Sequence, residues 1–342
     1  MTQTPSTVVF VSLTGDEEIK VYDLDSSSGA LRLRTTNPAH GPSGALFLHP
    51  TLDVLYDAHV ESTTLASFRL DKTTGQVTLL NSVDTGIGIP AHSVTDSQGR
   101  YLLTAYYGGG GITVHILGKN GAIGEQVQHV QTGPKAHAVH ISPDDRFVIV
   151  PHVCPTNKTS QFRFDTETGL LTENEPAVLL PPNEETGPRH ICFRPAGDVA
   201  YIINEQGKTV SAHRYDSASG TLERFQHLST LPEGWEQEGG STAHVEVHPN
   251  GRWAYGSNRG HDSIVGFNIA DDGSLTPFGH YPVPASPRSF NIDPSGHFLY
   301  CAGEAADRMK CFRVDLNSGA LEAFDEIDVG NKPFWVMATT LD

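Results

Sequence analysis

A Gly-x-apolar step after a short polar turn recurs seven times along this 342-residue chain. It reads SSSGAL at Gly29, TTGQV at Gly75, KNGAI at Gly121, TETGLL at Gly169, SASGTL at Gly220, DDGSL at Gly273 and LNSGAL at Gly319. In the fourth copy Leu171 takes the apolar place. Successive copies lie 46, 46, 48, 51, 53 and 46 residues apart. A period of this length marks a repeat architecture. Each Gly stands where a hairpin turn needs positive φ, which residues carrying a Cβ reach only at a steric cost. A β-rich run precedes every copy, as in IKVYDLD, TLASFRLD, SQFRFD and MKCFRVD.

A second landmark repeats in register. It is a Pro/Gly/Asp turn between two apolar runs, with its Pro at 50, 143, 195, 249 and 294, and Ser97 in the second copy. One copy, GPRHICFRPAGDVAYIINEQ, reads as strands Arg189–Phe193 and Val199–Asn204 in a hairpin that brings Arg189 and Glu205 to one end. Each repeat therefore holds about four short strands, and seven such units make an all-β, seven-bladed β-propeller. The N-terminal repeat lacks its inner strand. The closing KPFWVMATT resembles the other inner strands and has no blade after it, so it is expected to complete the first blade and leave no open edge. No linker interrupts the repeats, which predicts one domain over 1–342.

The formal net charge of −17 opposes binding to phosphate backbones or anionic lipid, so neither nucleic acid nor membrane is an expected partner. The start, MTQTPSTVVF, lacks a basic region and a long apolar run, which predicts no secretory leader. The four cysteines form no CxxC and suit a reducing cytoplasm, as four buried small residues. A monomer or weak homodimer is expected.

Aligning the repeats on their Pro exposes one rim. Six residues before it stand Gly44, Ala91, His137, Arg189, Ala243 and Arg288. Ten residues after it stand Val60, Tyr107, Val153, Glu205, Arg259 and Glu304. Antiparallel pairing puts both series at one end of the central channel. His92, His152, His190, His244, Asn204 and Asn258 lie one residue away. Such a rim is either ordinary loop-end polarity or a ligand site.

At these residues the chain resembles the seven-bladed lactonase family, which includes propeller-type 6-phosphogluconolactonases and 3-carboxy-cis,cis-muconate lactonising enzyme. The resemblance covers nearly the whole chain. It is most specific in KAHAVHISPDDR, GPRHICFRP with the following AYIINE, HPNGRWAYGSNR, SPRSFNIDPSGHFLYCAG and KPFWVMAT. It implies a catalytic set of His137, Arg189, Glu205 and Arg259. His92, Tyr107, His190, Asn204, His244 and Arg288 are the expected substrate-binding residues around it. Two segments depart from the family pattern, Gly108–Gly111 and EGWEQEGGSTA, and both are expected to border the pocket.

Lactone hydrolysis needs a base for water, donors for the developing oxyanion and an acid for the leaving alkoxide. Glu205 or His137 suits the first role, and Arg189 and Arg259 suit the second or the binding of a substrate anion. No cofactor is called for. The pairs His137/His140 and His244/His248 invite a zinc reading. Residues four apart on a strand sit about 13 Å apart, too far to share one ion, so no metal is expected. Gly108–Gly111 lacks the GK[ST] of a phosphate loop. A sugar lactone, foremost 6-phosphogluconolactone or a related aldonolactone, is the expected substrate. A carboxymuconate-type cycloisomerase and a non-catalytic binding propeller are the alternatives, the last without a WD or Kelch signature.

Overall fold

The computed structural model describes residues 6–235 and 239–341. Among these, the chain forms seven antiparallel four-stranded sheets and no helix. The sheets follow one another around a ring, each running from an inner strand on the channel to an outer strand. The inner strands are Pro333–Leu341, Ala45–Leu48, Pro90–Thr95, His140–Ile141, Pro188–Phe193, Ser241–Val247 and Pro287–Ile292, for blades 1 to 7. Blade 1 is closed as the sequence predicts. Pro333–Leu341 pairs antiparallel with Ser6–Leu13, with Val9 opposite Ala338 and Phe10 opposite Met337. The apolar faces of neighbouring sheets pack together. Val9, Val11 and Val336 of blade 1 cluster with Tyr300 and Cys311 of blade 7 across the closure.

The seven hairpin glycines do two jobs. All have φ between 74° and 85°. In five of them the Gly amide donates to the carbonyl of an Asp four residues back, as Gly29 does to Asp25 at 2.7 Å. The second job is contact with the preceding blade. A Cβ on Gly319 would collide with the ring of Trp253, and one on Gly220 with that of Phe147. Four buried tyrosines reinforce this seam by donating to the hairpin carbonyl of the next blade: Tyr56 to Gly121, Tyr201 to Gly273, Tyr255 to Gly319 and Tyr300 to Gly29. The last, at 2.8 Å, joins blade 7 to blade 1.

A bulge sits at the rim end of most inner strands. The pairing register shifts between Pro90 and His92, Pro188 and His190, Thr242 and Val245, and Pro287 and Ser289. The skipped residue is the rim residue itself: Ala91, Arg189, Ala243 with His244, and Arg288. A regular strand sends successive side chains to opposite faces, whereas a bulge re-aims one of them. Two consecutive residues, Arg189 and His190, are thus both buried and in contact, Nη1 to Nε2 at 3.2 Å. In blade 4 the expected inner strand shrinks to His140–Ile141 and an isolated bridge between Ala136 and His152.

The cysteines are all unpaired. Cys301 and Cys311 are buried, but Cys154 and Cys192 are only half-buried, contrary to the expectation for all four.

Candidate active site

The rim encloses a cavity of about 250 Å³ at the mouth of the channel. Its wall includes Tyr107, His137, Glu205, Arg259, Arg288 and Glu304, all rim positions of the aligned repeats. It also includes Thr14, Glu61, Ile89 and Phe334, which the alignment missed. Thr14 and Phe334 belong to blade 1, whose strands come from opposite chain ends and so escaped a Pro-anchored alignment. A signal was present: Phe334 follows Pro333 as Ala91, Arg189 and Arg288 follow Pro90, Pro188 and Pro287. Proline is tolerated at the first position of a strand and here precedes the bulge. Glu61 lies one residue beyond rim position Val60, in the left-handed conformation with φ 60°.

Glu205 is the centre of the charges. Its Oε2 accepts from Arg189 Nε at 2.7 Å and pairs with Arg259 Nη2 at 3.2 Å, while His137 Nε2 stands 4.0 Å away. Its Oε1 accepts from Gln206 Nε2 at 3.2 Å. Burial pushes the carboxyl pKa up, but Arg189, Arg259 and Arg288 outweigh it and hold the group below the usual glutamate value. Glu205 is therefore a carboxylate at neutral pH. His137 is held well below the ordinary imidazole value, first by burial and then by Arg189, Arg288 and Arg259. It is a neutral imidazole whose Nδ1 is buried without a hydrogen-bond partner. Tyr107 packs edge-on against it at 5.5 Å, with Lys135 Nζ 3.8 Å from the Tyr107 ring centre.

Two arginines face the cavity with donors to spare. Arg259 Nη2 donates to the Thr242 carbonyl at 2.8 Å, and its buried Nε has no partner. Arg288 lies over the Phe334 ring at 4.1 Å, reaches Glu304 at 3.4 Å, and its Nε is likewise unpartnered.

Five expected site residues do not line this cavity. Arg189 is 1 % exposed and lies behind Glu205; its Nη1 is engaged by the Ala243 carbonyl and by His190 Nε2 at 3.2 Å. It is buried, donates to Glu205 and is not part of the cavity wall. His92, His190 and His244 sit one layer deeper, because the bulge aims them at the axis below the rim. There they pack with His140 and Trp335 at ring separations of 5.0 to 5.9 Å. Asn204 points the other way. Its amide donates to Thr209 Oγ1 and Ser211 Oγ, both at 3.0 Å, inside blade 5. Alternation explains this, since Asn204 and Glu205 are adjacent. Neither Gly108–Gly111 nor the described part of EGWEQEGGSTA lines the cavity, in contrast to expectation. His248 hydrogen-bonds the Gly296 carbonyl at 2.8 Å, away from His244. Among the described residues, no three His, Cys, Asp or Glu side chains are grouped to hold a metal ion.

Known proteins resemble this chain over nearly its whole length. The family model "Lactonase, 7-bladed beta-propeller" matches residues 7–338. A 6-phosphogluconolactonase of Pectobacterium carotovorum is 32 % identical over 98 % of this chain and 99 % of its own. That of Pectobacterium atrosepticum is 30 % identical with the same coverage. Among solved structures, a Bacteroides fragilis protein superposes with a TM-score of 0.89 at 24 % identity, covering 100 % of this chain and 99 % of its own. The periplasmic gluconolactonase of Pseudomonas aeruginosa superposes with a TM-score of 0.88 at 23 % identity, over 97 % and 99 %. At these identities the superpositions speak for the fold.

Proposed function

The chain belongs to the seven-bladed β-propeller lactonase family, and from that premise we propose that it hydrolyses a sugar lactone at the cavity on the channel mouth. The observation that carries this reading is the grouping of neutral His137, ionised Glu205 and Arg259 around one cavity. In the proposed reaction, His137 takes a proton from water as the water oxygen bonds to the lactone carbonyl carbon. Arg259 holds the resulting oxyanion, and the Glu205 carboxylate stabilises the imidazolium. The ring C–O bond then breaks, and His137 returns its proton to the leaving alkoxide. Arg189 keeps Glu205 ionised and in place.

The wall also suits a polyol. Glu61 and Glu304 line it beside Glu205. Carboxylates accept hydrogen bonds from hydroxyls. Arg288 is the cation available to a single anionic group, such as a 6-phosphate, so 6-phosphogluconolactone or a related aldonolactone is the proposed substrate. A monomer or weak homodimer is part of the proposal, and four unpaired cysteines suit the cytoplasm. A pH-stat assay on gluconolactones with and without the 6-phosphate, run beside an ultraviolet assay for muconate loss, tests the reading. Base uptake above the spontaneous rate on a gluconolactone is expected. Muconate turnover without lactone hydrolysis would replace the proposal with the cycloisomerase.

A further inference from the structure

Beneath the cavity, a line of hydrogen bonds crosses four inner strands. Arg189 Nη1 meets His190 Nε2 at 3.2 Å in blade 5. His190 Nδ1 meets His244 Nδ1 of blade 6 at 2.7 Å. His244 Nε2 meets Glu246 Oε1 at 3.0 Å, two residues along the same face of one strand. Asn291 of blade 7 donates its amide to Glu246 Oε1 at 2.5 Å, and the Ile292 amide donates to Oε2 at 3.0 Å. Asn291 Oδ1 in turn accepts from the Ala338 amide of the closing strand at 2.6 Å.

Both ends of this line are obligate donors, and that sets every proton between them. The Ala338 N–H fixes Asn291 Oδ1 as an acceptor, so the Asn291 nitrogen donates to Glu246. Glu246 accepts from Asn291 and from the Ile292 amide, and the bare His244 Nδ1 that the Arg189 end requires leaves the His244 proton on Nε2, donated to Oε1. A guanidinium only donates, so His190 Nε2 is bare. His190 Nδ1 must then hold its proton and donate it to a bare His244 Nδ1. A protonated His244 would set two N–H groups against each other at 2.7 Å. Burial and the Arg189 charge, which hold His190 well below the usual imidazole value, agree with this neutral state.

We infer that Glu246, His244 and His190 are positioning residues for the proposed hydrolysis: they orient a bare imidazole nitrogen at Arg189 and so fix the guanidinium that holds Glu205. A buried guanidinium needs an acceptor for its donors. Glu205 and the Ala243 carbonyl supply two, and His190 Nε2 supplies a third only while the tautomers stand as derived. The inference rests on the lactonase reading for its catalytic consequence, but not for its proton positions.

The test has two arms on the full-length protein. In ¹⁵N spectra of the imidazoles, assigned by the signals lost in His190→Gln and His244→Gln, His190 should be the Nδ1–H tautomer and His244 the Nε2–H tautomer. In kinetics on a gluconolactone, His190→Leu and Glu246→Gln should lower kcat at least about tenfold with KM within about threefold, as a misplaced catalytic group does. His190→Gln keeps one acceptor and one donor and should stay within about threefold of wild type. Either opposite tautomer overturns the inference, as does a folded His190→Leu protein with wild-type kcat. If no lactone is hydrolysed at all, the functional reading fails, and the spectra still decide the relay.

Discussion

His137 and Glu205 come from different blades, 68 residues apart, yet Nε2 of one stands 4.0 Å from Oε2 of the other. Two arginines hold the carboxylate and share its charge, so the imidazole is the less committed base. Glu205→Gln preserves shape and removes that charge. Turnover on a gluconolactone should fall by at least about 100-fold with little change in KM, as expected when charge stabilisation is lost in the transition state only. Glu205→Ala should in addition cost about 3–5 kcal/mol in denaturant unfolding, because Arg189 is left buried and unpaired. Near-wild-type turnover of Glu205→Gln would remove Glu205 from the mechanism.

Arg288 sits on the same wall but is not tied to Glu205. Arg288→Ala should raise KM about tenfold and leave kcat within about threefold, the pattern of uniform binding. Arg288→Lys should not restore KM, since lysine lacks the planar group that stacks on Phe334. Steady-state kinetics check both. A selective loss of kcat in Arg288→Ala would move this residue into the chemistry.

The buried imidazoles predict an acid-sensitive fold. Burial, aided by neighbouring cationic groups, holds His92, His137 and His190 well below the ordinary value, and it pushes His115, His140 and His152 to about 4. The unfolded chain takes up these protons as pH falls through about 6.5, and the fold does not. Stability therefore declines with falling pH between about 6.5 and about 4, by up to about 1.4 kcal/mol per pH unit for each such group. Asp57, which burial pushes upward, works in the opposite sense but is outnumbered by the buried histidines. Melting curves should show Tm lower at pH 5 than at pH 7. An equal or higher Tm at pH 5 would contradict the burial of neutral histidines.

The ring was legible because its determinants are local and repeated. A glycine at each hairpin and a Pro-anchored turn gave blade number and strand order. The orphan KPFWVMATT gave the closure. The rim was legible in position but not in depth. Counting from the Pro placed Arg189 and Glu205 correctly at one end, yet assigned both to the ligand. The bulge between Pro188 and His190 is what turns Arg189 behind Glu205 and sends His190 below it. The only cue to it in GPRH is the Pro, which precedes the bulge as Pro90 and Pro287 do in their blades. Asn204 was misplaced for the converse reason: alternation held there, and proximity in sequence was taken for proximity to the cavity.

Closure of the ring rests on pairing and on the Tyr300 bond. Deleting Phe334–Asp342 removes the buried Phe334, Val336, Ala338 and Leu341 and opens an edge beside blade 1. The larger apolar side chains are worth about 1.5–3 kcal/mol each, so the loss rivals the whole stability of a domain. The truncated chain should show no cooperative melt. Tyr300→Phe, which removes only the bond to the Gly29 carbonyl, should cost about 1 kcal/mol. An unchanged melting temperature after truncation would show that the closing strand does not hold the ring.

His137 is the proposed acid and base of the lactone hydrolysis. The direct measurement is pH-stat turnover of gluconolactone and its 6-phosphate by the wild-type protein and by His137→Gln, with the spontaneous rate subtracted. Wild type should open at least one lactone well above the spontaneous rate, with kcat/KM falling only at pH below about 6.5, where a depressed imidazole takes up its proton. His137→Gln should be slower by at least about 100-fold at pH 7. A folded His137→Gln protein that opens the lactone at the wild-type rate would contradict the account.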